Sequence, residues 1–351
     1  MKKTVIALAA SALAMTSVNA TTIFDKEGTK VDISGSVRLL LQRETNHRTD
    51  LKDKGSRVTF DVSHQLGEGL SALGQVEVRF SDKGIGDKTN ISRLFTGFSH
   101  DAVGQLTFGK QLTIGDDIGL SDYTYNLGGV NQLVTSGEKV IHFKSADFAG
   151  FRFGADYVFD EDPSKTEAAN KKNINNNAYV LGLLYNRTVG DLGFALEAGY
   201  SSKKIGDAML SVNQKAWTVG GELSYQDFSV AVDYSQVKSN NNELLTILWR
   251  GQKHPATGEE DSFHKVREVE LGLKYQFIPE SKIYTDFIWG KAVTAYDRTV
   301  RLRAYIAGVD YKFHKNVVAY LEGGVFRFKH STDLEPTTRD KKLGVGLRVF
   351  F

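Results

Sequence analysis

Charged side chains at every second position are the groups in this chain whose type and spacing could do chemistry. Glu197, Glu222, Asp233, Glu270 and Lys274 are each flanked by apolar residues or glycine in stretches that alternate residue by residue. Charges so placed can line water, sort ions and orient dipolar solutes, but they do not make or break bonds. Reactive constellations are missing from the sequence. The eight histidines are scattered with no His-x-x-x-His spacing, so no metal site is expected. Cysteine is absent, which excludes disulfides, thiol catalysis and thiolate ligation. There is no glycine-rich phosphate loop ending in Lys-Ser/Thr and no Gly-x-Ser-x-Gly elbow, so neither a cofactor nor an enzyme is expected. The paired acids Asp160-Glu161-Asp162 and Glu259-Glu260-Asp261 read as solvated loop charge able to meet divalent cations, rather than as catalytic carboxylates.

The elements that position such charges follow from periodicity. In the last stretch Leu343, Val345, Leu347, Val349 and Phe351 fall on one face, and Lys342, Gly344, Gly346, Arg348 and Phe350 on the other. That period of two is a strand's. It recurs at 179–185, 192–200, 217–225, 228–235 and 269–277, and the apolar faces often end in Tyr, Trp or Phe. After residue 20 no run of about 18 apolar residues occurs, so helical spans are not expected. Mean hydropathy is −0.29, as expected where every second strand residue faces water. The four prolines all fall in polar or turn-like stretches, where they break no ladder. The formal net charge is +2, which gives no reason to invoke nucleic acid.

Connections divide into two kinds. Short ones are 66–69, 101–103, 190–191, 227, 279–280 and 314–316. They alternate with long polar ones at 47–54, 81–89, 113–137, 160–176, 203–214, 239–264, 292–300 and 330–340. Eight long loops, with both termini on the short-turn side, predict 16 strands. The remaining strands are 31–43, 55–66, 70–80, 91–100, 104–112, 138–145, 151–159, 281–291, 301–313 and 317–329. The predicted fold is all-β: a 16-stranded antiparallel transmembrane β-barrel with short periplasmic turns and long external loops. A soluble β-sandwich would also alternate. It explains neither the aromatic strand ends nor the loop asymmetry. Hydrocarbon offers no hydrogen-bond partners, so the barrel must close, and one this wide keeps an aqueous lumen. Residues 1–20 read as a cleaved signal peptide: Lys2 and Lys3, then an apolar stretch too short for an anchor, then Val18-Asn19-Ala20. Residues 21–351 form the single barrel domain.

The mature chain resembles the general diffusion porins of Gram-negative outer membranes, most closely the Pasteurellaceae type. The resemblance rests on residues 27–35 (Glu-Gly-Thr-Lys-Val-Asp-Ile-Ser-Gly) opening the first strand and on Gly55-Ser56-Arg57 opening the second. Phe108-Gly109-Lys110 ends the fifth, and Phe351 ends the chain. It implies an outer-membrane homotrimer in contact with lipid and lipopolysaccharide, passing ions and small hydrophilic solutes. It further implies that the terminal Phe351 is read by the barrel assembly machinery. It implies too that the third long loop, 113–137, folds into the lumen, with acids on it facing basic residues on the wall. Alternation nominates Arg38, Arg57 and Lys144 for that wall, and Arg57 matches the family's wall arginine after Gly-Ser. Arg93 is the fourth candidate. Leu94 and Phe95 are both apolar, so its facing stays open, and a bulge could turn it either way. The loop acids are Asp116, Asp117 and Asp122. Where many enteric relatives carry a Pro-Glu-Phe-Gly-Gly type sequence, this chain has Thr124-Tyr125-Asn126-Leu127-Gly128-Gly129. Two other functions stand beside this one: an enzyme on a barrel, which lacks its constellation, and a substrate-specific channel or adhesin. A sugar channel would show an aromatic track along the lumen, whereas most aromatics fall on the lipid phase.

Overall fold

A computed structural model describes all residues except 1–19, 81–84, 86–87, 160–175, 207–210, 242–246, 254–259, 295–297 and 332–336. The signal-peptide reading and the 160–162 acids therefore lie outside the described residues. So do Glu259 and the side chains of Glu260 and Asp261.

The chain is nearly all strand. In order it runs β1 (Thr21–Lys26), β2 (Thr29–Glu44), β3 (Asp50–Asp53), β4 (Arg57–Gly67), β5 (Leu70–Phe80), β6 (Thr89–His100) and β7 (Gly104–Leu112). A single 3-10 turn, Ile114–Asp117, follows. Then come β8 (Ser136–Ser145), β9 (Phe151–Val158), β10 (Ala178–Val189), β11 (Leu192–Gly206), β12 (Ser211–Tyr225) and β13 (Phe228–Ser239). The chain continues with β14 (Ile247–Lys253), β15 (Glu260–Phe263), β16 (Lys265–Ile278), β17 (Ser281–Val293), β18 (Thr299–His314), β19 (Val317–His330) and β20 (Thr338–Phe350). β14 and β15 pair only with each other. β1 pairs with the first turn-side residues of β2, and β3 continues β4 along β2. The other sixteen strands make the wall, each predicted one recovered, all antiparallel.

The wall closes where β2 meets β20, from Ser36 opposite Phe350 to Glu44 opposite Lys342. Phe351 extends that seam. Its amide donates to the Gly35 carbonyl at 3.1 Å and its carbonyl accepts from the Gly35 amide at 2.8 Å. A Cβ on Gly35 would sit 2.5 Å from the Phe351 ring, so the first strand of the seam needs glycine beneath the last aromatic. Closure removes the sheet edge that lipid could not satisfy.

Alternation sorts the faces as expected. Val37, Leu41, Phe60, Val62, Leu181, Leu183, Val345 and Leu347 are exposed outward. Outward Tyr225, Phe228, Tyr275 and Phe313 ring the short-turn end, and Tyr179, Tyr200, Trp217 and Trp289 the long-loop end. An apolar band between two aromatic girdles is a lipid-facing surface. Beyond the upper girdle the outward face turns basic: Arg301 pairs across from Lys329, Arg303 from Arg327, and Arg327 from Arg339. Strands also run further than predicted. β11 and β12 pair out to Gly206 and Ser211, because ladder pairing continues while each strand has a neighbour, whatever the polarity of its side chains.

The interior departs from a purely polar lining. Ile288, Ala292, Val300, Leu302, Ala304, Ile306, Phe326 and Phe328 face inward and are buried. Their cover comes from two connections that fold inside.

Candidate functional site

Segment 113–135, between β7 and β8, crosses the lumen side of the wall and is fastened there by the wall's own acids. Thr113 opens it: its hydroxyl caps the short turn by accepting from the Gly115 amide. The Ile114 amide then donates to Asp156 at 2.8 Å. The Ile114 side chain fills a socket over Gly154 and Gly182, where a Cβ would lie within 2.6 Å and 2.5 Å of it. Further along, the Gly119 amide donates to Glu197 at 2.9 Å. Asp233 Oδ2 accepts from the Leu120 and Ser121 amides at 2.8 and 2.7 Å and from the Ser121 hydroxyl at 2.6 Å. The Tyr123 hydroxyl reaches Glu222 at 2.7 Å, and burial together with Glu222 raises its pKa, so it stays a donor. Tyr125 donates its amide to Glu322 at 2.7 Å and its hydroxyl to Asp310 at 2.6 Å. Loop amides that leave water need partners, and a carboxylate aimed at two or three of them is a strong one. The inward acids read from alternation are thus largely anchors rather than free charge.

The opposite part of the wall carries arginine. Five neighbouring strands each contribute one: Arg348 from β20, Arg38 from β2, Arg57 from β4, Arg79 from β5 and Arg93 from β6. Arg38 stands directly across from Arg348 and Arg57 across from Arg79. Like charges so paired destabilise a sheet. Glu77, 2% exposed, answers three of them. It lies 3.6 Å from Arg57, 3.0 Å from Arg79 and 3.9 Å from Arg93. The Gly55-Ser56-Arg57 motif has a local cause. β3 and β4 are one wall strand broken at 54–56. There Asp53 accepts from the Gly55 and Ser56 amides, and Gly55 takes φ +82°, a conformation that suits glycine. The break brings Arg57 Nε onto the Gly55 carbonyl at 3.1 Å. For Arg93 a bulge decides: β5 pairs Glu77 with Arg93 but Val78 with Ile91, so Ser92 is the extra residue and Arg93 turns inward.

The loop acids separate. Asp116 is exposed in the lumen and within electrostatic reach of Arg93, Arg79 and Arg57. Desolvation by the surrounding barrel and the neighbouring Asp117 raise its carboxyl above its ordinary value, against the pull of those arginines. Asp117 instead pairs with Lys144 at 2.7 Å, so this wall lysine is engaged away from the arginine row. Asp122 lies elsewhere, beside Glu270 and Asp286.

Sequence reasoning missed three things. Arg79 was readable from Val76-Glu77-Val78-Arg79-Phe80, and Arg348 already stood on the inward face of the last strand without being nominated. The third is a second infolded connection. The hairpin of β14 and β15 buries Ile247, Trp249 and Phe263 against Val266, Ile288, Leu302 and Phe328, with Trp249 edge-on to Phe263 and Phe328. Arg250 pins it, donating to Glu268 at 2.7 Å and to the Gly129 carbonyl of the first segment at 2.7 Å. The apolar run Leu244-Leu245-Thr246-Ile247-Leu248-Trp249 inside an otherwise polar loop was its signal.

Comparison with known proteins agrees with this architecture. The sequence profile of the family described as Gram-negative porin matches residues 4–331. The chain is 46% identical to a major outer membrane protein of Pasteurella multocida, with all of each chain covered. It is 44% identical to another from that species over 83% of this chain and 84% of that one. Among solved structures, OmpT of Vibrio cholerae in its trimer form superposes with TM-score 0.69 at 19% identity, covering 92% of this chain and all of that one. The anion-selective porin of Comamonas acidovorans gives 0.68 at 16%, with 92% and 100% covered. These structures share the fold. A closed sixteen-stranded barrel with a lipid-facing band, matched by family over most of its length and by outer-membrane relatives over all of it, places the chain in the Gram-negative porin family, in the outer membrane.

Proposed function

We propose that the barrel is a passive diffusion pore for ions and small hydrophilic solutes, narrowed by segment 113–135 and by the β14–β15 hairpin. The observation that carries this reading is the division of charge. Glu197, Asp233 and Glu322 are engaged in holding loop amides, while five arginines on adjacent strands have one buried glutamate between them and face a loop bearing Asp116. Opposed charges at the narrowest point create a transverse field, which orients dipolar solutes and sorts ions. In this reading Arg38, Arg57, Arg79, Arg93 and Arg348 form the basic wall and Asp116 the acidic one. Asp117 and Lys144 neutralise each other beside it. Passive diffusion of this kind needs no cofactor and no catalysis.

Three partners belong to the same proposal. The Vibrio cholerae relative in trimer form supports a homotrimer. The outward arginines and lysines of β18 to β20 suit the phosphates of lipopolysaccharide at the outer leaflet. Phe351, partly exposed at the seam, is available to the assembly machinery, and residues 1–20 would direct export and be removed in its course. Liposome swelling with sugars of increasing size tests the function. The expected result is swelling that falls smoothly with solute size for unrelated sugars. No swelling with any sugar, or swelling with one sugar only, would refute it.

A further inference from the structure

Asp122, at the tip of segment 113–135, meets two acids of the wall, Glu270 on β16 and Asp286 on β17. Each offers a carboxylate oxygen, and these oxygens lie within 4.8 Å of one another. Three negative charges so close must be answered by something. The nearby cations are engaged elsewhere. Arg250 is held by Glu268 and the Gly129 carbonyl, and Lys282 donates to the Tyr123 carbonyl at 3.1 Å and lies over the Tyr284 ring. Glu270 accepts from the Gly129 amide and the Ser121 hydroxyl. Asp122 takes the Thr124 amide and hydroxyl on Oδ1, which leaves Oδ2 to present.

Asp286 is the independent clue. It is 0% exposed, yet neither of its carboxylate oxygens has a partner in hydrogen-bond geometry, although the Tyr123 amide lies close by. A buried carboxylate without donors is costly.

We propose that Asp122, Glu270 and Asp286 bind a hard divalent cation, Ca²⁺ foremost, which ties the loop tip to β16 and β17. The donor set is all oxygen, as Ca²⁺ and Mg²⁺ require and softer metals do not. Three protein carboxylates suit Ca²⁺, which accepts a flexible shell of oxygen ligands, better than Mg²⁺, which dehydrates reluctantly and is held by few carboxylates. Asp122 is open to the lumen while the other two are buried, so the ion has a route in from the water of the pore. The proposal needs the loop docked on the wall but not any particular selectivity. Its failure is therefore separable from failure of the diffusion reading.

The test uses purified full-length protein in detergent, stripped with chelator. Ca²⁺ alone is titrated by calorimetry, and melting is followed with and without it. The expected result is one Ca²⁺ per chain and a rise in Tm on saturation. Asp286→Asn and the lumen-exposed Asp122→Asn should each weaken binding about tenfold or more, since affinity follows ligand charge. Asp50→Asn, in the first external connection, should bind as the parent does. If Asp286→Asn does not fold, Asp122→Asn decides. Absence of a stoichiometric site, or binding and Tm shift unchanged in both variants, would overturn the assignment and leave shared protons as the answer to the three charges.

Discussion

Neutralising Arg38 and Arg57 together should move the pore toward cations. The pair is chosen so that the buried carboxylate keeps cations beside it. Glu77 keeps Arg79 at 3.0 Å and Arg93 at 3.9 Å, so no buried carboxylate is stranded. The Arg38 side chain donates to the Ser36 hydroxyl and sits 5.9 Å from the Phe350 ring, contacts a glutamine can forgo. A unit charge about 8 Å from a passing ion contributes ~0.5 kcal/mol in water, and screening at 0.1 M salt leaves ~0.2 kcal/mol. Two charges then amount to ~0.5 kcal/mol, about twofold in the abundance of each ion sign, in opposite directions. The cation-to-anion permeability ratio of Arg38→Gln/Arg57→Gln should therefore rise about fivefold. Reversal potentials across a planar bilayer in a KCl gradient read that ratio directly. A ratio unchanged, or moved toward anions, would show that these arginines do not border the ion path.

Further outcomes follow from the same geometry. Lys144→Met releases Asp117 from its 2.7 Å pair and should add a smaller cation shift, read by the same assay. Asp233→Ala strands two loop amides at about 1–3 kcal/mol each. Open-channel noise and protease cleavage within 113–135 should both increase. Trp249→Ala empties a buried indole site, a loss of about 3–5 kcal/mol if the hairpin stays docked. Undocking is cheaper, so single-channel conductance should rise. Acidification should favour anions through Asp116. Its folded pKa is raised, so the ionised carboxylate costs stability above its unfolded value, and that cost is relieved as pH falls through the raised folded value. Loss of its charge thus begins at a higher pH than for a free aspartate, and Asp116→Asn should abolish that part of the pH response.

Much of this was legible in the sequence because a barrel wall obeys one rule, period two. That rule located all sixteen strands and turned Arg38 and Arg57 inward. It failed where a residue is added to the count. At Arg93 the extra Ser92 shifts the phase, and adjacent Leu94 and Phe95 hid it. It also failed where the inward face is apolar, as at Ile288 and Phe326, since such positions mimic lipid contacts until something inside is known to cover them. Loop docking had no periodic signature at all. Glu197, Asp233 and Glu322 look like free lumen charges until the amides of residues 119–125 are set against them. The pairing of Lys144 with Asp117 depends on where the third loop runs, which strand periodicity does not encode.

Diffusion requires an open aqueous passage through each barrel, and single-channel recording of the purified protein in a planar bilayer tests for it most directly. The expected result is ohmic openings that close in steps of three, one for each barrel of a trimer. A membrane that stays silent after verified insertion of folded protein would contradict it.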